Sequence, residues 1–214
     1  MIITIDGPAS SGKSTAAEIV ATKLKYRHLN SGAIFRGITA YLLKHGFDFS
    51  KVKTQKNFDI HIKLRYLKGI QNVYINDENM TPYLRDNEVS QLTAIVATNA
   101  SIRKIIDDFQ HEFASKNDIV VDGRDTGSYV YPNADYKFYL DSSISVRAKR
   151  RYLEEKQKGS KITLKDIKEQ IALRDEMDKN RKIAPLVIPK NAIIIDSTHL
   201  NIEETADAIM SFIR

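Results

Sequence analysis

The 214-residue sequence has no cysteine and no tryptophan, and none of its apolar runs approaches the roughly 20 residues that a membrane span requires. Without cysteine there is neither a disulfide framework nor a thiolate zinc site, and the five histidines show no H-E-x-x-H spacing. The apolar start Met1 to Ile5 meets Asp6 before a secretory h-region could form, so the expectation is a soluble, unprocessed chain of the reducing cytoplasm. Repeats and low-complexity linkers are also lacking. What is present suffices for one sizeable core with small appendages, at 42% hydrophobic and 28% charged residues.

The formal net charge of +6 is concentrated in one region. From Arg147 to Lys190 fourteen Lys and Arg stand against seven Asp and Glu, and the rest of the chain is about neutral. A solvated helical face accounts for such a run as readily as an anionic partner does.

Patterning alternates between the two periods. Ile2 to Ile5 reads as a buried strand broken by Asp6-Gly7-Pro8, and Ala17, Val20, Ala21 and Leu24 form a helical stripe behind it. His28 to Asn30 suggests a second strand, followed by a helix marked by Ile34, Ile38, Tyr41 and Leu42 and stopped by Gly46. Between about 58 and 83 the period falls to two, with Ile60, Ile62, Leu64 and Tyr66 leading through Lys68-Gly69 into Val73 and Ile75, a small antiparallel insert. Val89, Leu92 and Val96 mark one helix, and Ile102, Ile105, Ile106 and Phe109 another, with Ser101 as its expected cap. Strands follow at Asp118 to Val121, at Tyr136 to Leu140 and at Ala192 to Ile195. Helices are expected from Ser143 to Lys158, after Thr163, and after Asn201 with Glu204 completing a capping box. Alternation of this kind describes an open α/β sheet with its site along the C-terminal edge of the strands.

Gly7-Pro8-Ala9-Ser10-Ser11-Gly12-Lys13-Ser14 fits G-x-x-x-x-G-K-[ST] between a strand and a helix, the setting that gives the pattern meaning. Backbone N–H groups would converge on phosphate oxygens, Lys13 would neutralise charge on the β and γ groups, and the Ser14 hydroxyl would face Mg²⁺. The loop therefore implies a nucleoside triphosphate, without deciding between hydrolysis, transfer and switching. Further along, Asp122-Gly123-Arg124-Asp125 ends the strand expected beside the loop strand, where an Asp orders a metal-bound water and Arg124 reaches a phosphate, or where the segment is simply a turn. Arg174, Asp178 and Arg181, at i, i+4 and i+7, share one helix face that the spacing sets opposite the apolar stripe Leu164, Ile167 and Ile171. They form either a surface salt bridge or part of a lid that closes arginines over phosphates. Arg36, after Asn30-Ser31-Gly32, is a further phosphate reader at a helix start.

Five blocks, I-T-I-D-G-P-A-S-S-G-K-S-T, N-S-G-A-I-F-R, V-V-D-G-R-D-T-G, R-D-E-M-D-K-N-R-K-I-A-P-L and I-I-D-S-T, span nearly the whole chain and together resemble the bacterial cytidylate kinases. The resemblance implies a P-loop NTPase-type α/β fold, a parallel five-stranded sheet flanked by helices, with a monophosphate-binding insert and a helical lid. The implied divisions are a core of 1–35, 105–155 and 185–214, a monophosphate-binding domain of 36–104, and a lid of 156–184. Implied too is transfer of the γ-phosphoryl of ATP to CMP or dCMP. ATP would be held by Gly7, Pro8, Ala9, Ser10, Ser11, Gly12, Lys13, Ser14 and Thr15, with Arg147 and Arg151 as further contacts, and Mg²⁺ by Ser14. Ser31, Arg36, Arg103, Arg124, Asp125, Arg174, Asp178 and Arg181 would face CMP, and Lys13, Arg124, Asp125, Arg174 and Arg181 would form the catalytic set. Where family members commonly carry a Ser against the base, this chain has Ala94, next to Thr93.

Other classes fit less well. A GTPase switch lacks its Asn-Lys-x-Asp and D-x-x-G elements, and a nucleic-acid machine lacks an aromatic-interleaved basic platform. A sister kinase for UMP or another monophosphate stays open. The partners expected are small molecules only, with no nucleic acid and no membrane, and the chain is expected to be a monomer.

Overall fold

The computed structural model describes residues 1–213. Its elements run β1 (Ile2–Asp6), α1 (Lys13–Leu24), β2 (Arg27–Asn30), α2 (Ser31–Lys44), β3 (Ile62–Leu67), β4 (Ile70–Ile75), β5 (Glu78–Asn79), α3 (Asn87–Val96) and α4 (Ala100–Ser115). They continue with β6 (Ile119–Gly123), β7 (Tyr136–Asp141), α5 (Ile144–Gln157), α6 (Leu164–Asn180), β8 (Ile193–Asp196) and α7 (Ile202–Met210). Five strands form one sheet in the order β2-β6-β1-β7-β8, every pair parallel. The three strands of the insert form a separate antiparallel sheet, with β3 and β4 turning at Lys68-Gly69, both at positive φ.

Successive residues of the sheet feed opposite cores, as the pleat requires. Ile3, Ile5, Val120, Phe138 and Leu140 pack with α1 and α7. Leu29, Ile119 and Val121 pack with α2, α4 and the insert's Val73 and Ile75. A third, small cluster of Ala148, Ile167 and Ile171 joins α5 to α6. The register pairs Asp6 with Gly123 and Ile5 with Asp122, so the polar ends of β1 and β6 emerge side by side at one sheet edge.

Two local expectations are corrected. The cap of α4 is Asn99 rather than Ser101: its Oδ1 accepts from the Ile102 N–H at 2.8 Å. Its Nδ2 donates to the carbonyls of Val52 and Gln55, so one amide both starts the helix and anchors the preceding loop, which a serine could not do. On α6, Leu164 is 45% exposed, and the buried positions are Ile167, Ile171, Asp175 and Asp178. Asp178 lies seven residues, two turns, beyond Ile171 and so continues the buried stripe instead of opposing it. Arg181 falls beyond the last helical turn in extended conformation.

Candidate active site

The phosphate loop is shaped by two glycines. Gly7 has φ +154°, and a Cβ there would meet the Leu140 carbonyl oxygen at 2.2 Å. Gly12 precedes α1 at φ +90°, turning the loop into the helix start, where the dipole favours an anion. Lys13 is buried, with Nζ donating to the Pro8 carbonyl at 2.9 Å. Burial and the nearby Arg124 charge hold its ammonium well below the usual lysine range, the expected state of a cation waiting for a counter-charge.

Beside it, the Ser14 hydroxyl donates to Asp122 Oδ2 at 2.5 Å, and His28 Nε2 lies 2.7 Å from Asp122 Oδ1. Burial alone would raise the Asp122 carboxyl, but the His28 hydrogen bond and charge, Ser14 and Lys13 bring it below its ordinary value. Among the described residues no cluster of three or more His, Cys, Asp or Glu could hold a metal ion. A hydroxyl and an ionised carboxylate at the mouth of a phosphate loop nonetheless fit a hard cation that brings phosphate oxygens as its other ligands.

Asp6 does a different job. It accepts from Thr126 N–H, Thr126 Oγ1 and Gly127 N–H at 2.9, 2.8 and 2.7 Å, which fixes the turn after β6 and thereby the direction of Arg124 and Asp125. Burial outweighs these bonds and pushes its carboxyl up to about 6. In the sequence Asp6 is visible as a strand breaker inside the first block, with no role of its own.

Across the turn, six of the expected acceptor-site residues form one continuous charge network. Arg103, 2% exposed, donates from Nε to the Ala97 carbonyl and from Nη1 to Asp125 Oδ2 at 2.7 Å, with its guanidinium over the Phe35 ring. Asp125 Oδ1 in turn lies 3.3 Å from Arg181 Nη2. Asp178 faces three arginines: Arg124 Nε at 2.9 Å and Arg174 Nε at 3.3 Å on one oxygen, Arg181 Nη1 at 3.6 Å on the other. Arg174 also donates to the Ser90 carbonyl, tying α6 to α3. Burial pushes Arg36 down to about 10, with Asp122 opposing and Arg124 and Arg174 adding to the shift, which places its charge in the same field. Ser31 is buried at the first turn of α2 behind the Asn30 cap. Lys13, Arg36, Arg103, Arg124, Arg174 and Arg181 outnumber Asp122, Asp125 and Asp178, so the cluster is electropositive and suited to phosphate groups.

The two arginines that the resemblance assigns to ATP have these partners in the ligand-free chain. Arg147 is buried, donating to the carbonyls of Ser142 and Ala9 and to Asp175 Oδ2, a strut under the loop. Arg151 pairs with Glu154 and Glu155 on its own helix. Arg150, which no sequence pattern singles out, donates to the carbonyls of Ser11, Ser197 and Leu200 and braces the loop from the other side.

A parallel sheet with this loop between β1 and α1, and a cluster of arginines across from it, defines a P-loop kinase. The fold matches a shikimate kinase from Acinetobacter baumannii in complex with shikimate at TM-score 0.50 and 15% identity, covering 99% of this chain and 92% of that one. An uncharacterized protein from Eubacterium ventriosum ATCC 27560 matches at TM-score 0.51 and 11% identity, covering 100% and 98%. More specifically, the chain belongs to the cytidylate kinase family, whose model matches residues 3–214. Relatives named cytidylate kinase include that of Clostridioides difficile (strain 630), 39% identical over 99% of this chain and 97% of the relative. That of Thermotoga petrophila is 38% identical over 99% and 96%.

Proposed function

We propose that the protein transfers the γ-phosphoryl of ATP to CMP or dCMP, giving ADP and the nucleoside diphosphate, as an enzyme of pyrimidine nucleotide metabolism. The observation that carries this reading is the Arg103–Asp125–Arg181–Asp178–Arg124 network facing the phosphate loop in a member of this family. The acceptor is itself a phosphate with a second pKa of about 6, so it arrives largely dianionic at neutral pH and needs no general base. The protein's task is to offset repulsion between two anions and align them in line. Lys13 and the loop amides take the donor phosphates. Arg36, Arg124, Arg174 and Arg181 take the acceptor phosphate and the transferring group, and Asp178 exchanges an arginine for a ribose hydroxyl. Ser14 and Asp122 would hold Mg²⁺, which when bound neutralises charge on the donor phosphates.

The core of 1–35, 105–155 and 185–214 would stay fixed while 36–104 and the lid at 156–184 close and exclude water. The Arg174 bond to the Ser90 carbonyl supports contact between those two parts. No helix among the described residues is long and apolar enough to cross a membrane. The proposed setting is the cytoplasm, with the enzyme acting on small molecules as a monomer. UMP is the competing acceptor, favoured by the alanine at position 94.

The test is a coupled ADP-release assay with ATP and Mg²⁺ and with CMP, dCMP, UMP or AMP in turn, with Lys13→Ala as control. Lys13-dependent turnover that requires CMP or dCMP is expected. ADP release at the same rate without any monophosphate would overturn the acceptor assignment.

A further inference from the structure

We infer that His28 is a positioning residue: it holds the Asp122 carboxylate so that one oxygen is presented to Ser14 and to a cation arriving with the triphosphate. Strand β2 is in register with β6 such that Asn30 lies opposite Asp122. His28 therefore stands two residues back on the same face and reaches diagonally across the sheet. Its side chain is 10% exposed, and Nε2 lies 2.7 Å from Asp122 Oδ1. An ionised carboxylate only accepts, so this nitrogen carries the proton and donates. The other carboxylate oxygen is the one Ser14 donates to. With one oxygen pinned by His28, the carboxylate cannot rotate away when Ser14 turns its hydroxyl toward a metal. Outer hydrogen bonds of this kind orient metal-binding carboxylates.

The histidine is itself held in place. Tyr66 of the insert donates from its hydroxyl to the His28 carbonyl at 2.8 Å, with the Arg27 guanidinium over its ring. Two residues on, Gln71 of β4 takes both backbone groups of Asn30, accepting from N–H at 2.8 Å and donating to the carbonyl at 3.2 Å. The outer edge of β2 is thus fixed by the insert, and a line of hydrogen bonds runs from Tyr66 through His28 and Asp122 to Ser14. That line rests on the proposed cation role of Ser14 and Asp122, and not on which monophosphate is the acceptor.

The experiment is ATP binding without acceptor, by displacement of a fluorescent nucleotide, in Mg²⁺ titrations and in EDTA, for the wild type and for His28→Leu, His28→Asn and His28→Gln. Glutamine sets an amide donor near the Nε2 position, whereas asparagine falls short of it. In the Leu and Asn variants the Mg²⁺ concentration needed for tight ATP binding should rise about tenfold or more. Affinity in EDTA should stay within about twofold, and Gln should recover most of the loss. The Asn and Gln variants remain polar at this position, so the comparison survives if Leu does not fold. Unchanged Mg²⁺ dependence in Asn and Leu would overturn the inference, as would an equal loss of affinity in EDTA. Because no monophosphate is present, a failure here is separate from a failure of the CMP reading.

Discussion

Arg147 and Asp175 clasp the phosphate loop at a single residue: Arg147 Nη1 donates to the Ala9 carbonyl at 2.9 Å, the Ala9 N–H donates to Asp175 Oδ1 at 2.9 Å, and the two side chains meet at 2.6 Å. Both are buried, so the pair satisfies both backbone polar groups of one loop residue and ties the loop to α5 and α6 together. Removing one partner leaves a buried charge without its counter-ion, a change that costs about 3 to 5 kcal/mol. Asp175→Ala should lose stability of that order in urea unfolding, and its KM for ATP should rise about tenfold as Ala9 is freed. The apolar double variant Arg147→Met with Asp175→Leu should recover most of the stability but not the KM. If the double variant regains both, the clasp has no part in holding the loop.

The three arginines around Asp178 predict a pH signature. Burial would raise this carboxyl, but the charges of Arg124, Arg174 and Arg181 overcome it and hold the group below its usual range. A depressed folded-state pKa contributes stability that is present above the unfolded value, about 3.9, and lost as pH falls through the folded one. Asp178→Asn should therefore be less stable than the wild type at pH 7 by about 2 kcal/mol, the two converging below about pH 4. The variant leaves three arginines short of an anion, so added inorganic phosphate, which needs no ribose contact, should raise its melting temperature more than that of the wild type. Thermal melts from pH 3 to 8, with and without phosphate, check both; a constant difference across that range would contradict the assignment of the charge.

Asp107 has the opposite sign. It lies one turn along α4 from Arg103, its Oδ1 is buried without a hydrogen-bond partner, and burial pushes its carboxyl up to about 6, against the pull of Arg103 and with Asp125 and Asp108 adding to the rise. The folded chain then binds this proton more tightly than the unfolded chain, so the group's contribution is fully present below about pH 4 and lost as pH rises through about 6. Asp107→Asn should be more stable than the wild type at pH 7.5 by about 1 kcal/mol after allowance for partial exposure, and equal to it near pH 4. In a chain of this size that is roughly 2 to 4 °C in melting temperature. Parallel melting curves from pH 4 to 7.5 would show that Asp107 is ordinary.

Much of the architecture was legible because each element carries its own local signal. The loop's glycines, the helix start after Thr163, the Asn201 capping box and the period-two insert are each set by a few neighbouring residues, and each is found where the spacing puts it. What was not legible depends on tertiary partners. The spacing of Arg174, Asp178 and Arg181 gives a face but not which face is buried: Asp178 enters the stripe of Ile171 because Arg124, from the turn after β6, meets it there beside Arg174 and Arg181. Arg147, Arg150 and Arg151 are neighbours with the same chemistry. Their separate fates, under Ala9, under Ser11 and on the helix surface, follow from α5 lying beneath the loop. His28 lies outside every motif, and Asp6, though inside the first block, carries no role that the sequence spells out; the register of β2, β6 and β1 brings both to the site.

Position 94 makes the last prediction. Ala94 and Thr93 are both buried on α3, and the Thr93 hydroxyl donates to the Val89 carbonyl at 2.6 Å, beside Thr39. It is not free to replace a serine hydroxyl at the base. In the proposed reading base recognition then falls to Asp125 and Arg181, whose Nη2 lies 3.3 Å from Asp125 Oδ1. A carboxylate accepts from the amino group of cytosine but meets a carbonyl oxygen on uracil, so Asp125 alone still favours CMP. One additional hydrogen bond that only the right base can satisfy is worth about 1 to 3 kcal/mol, a factor of roughly 5 to 150. Ala94→Ser should raise the CMP-to-UMP ratio of kcat/KM within that range, while Asp125→Asn should bring the ratio close to one. A ratio that Ala94→Ser leaves untouched would place α3 outside the base site and leave discrimination to Asp125 and Arg181.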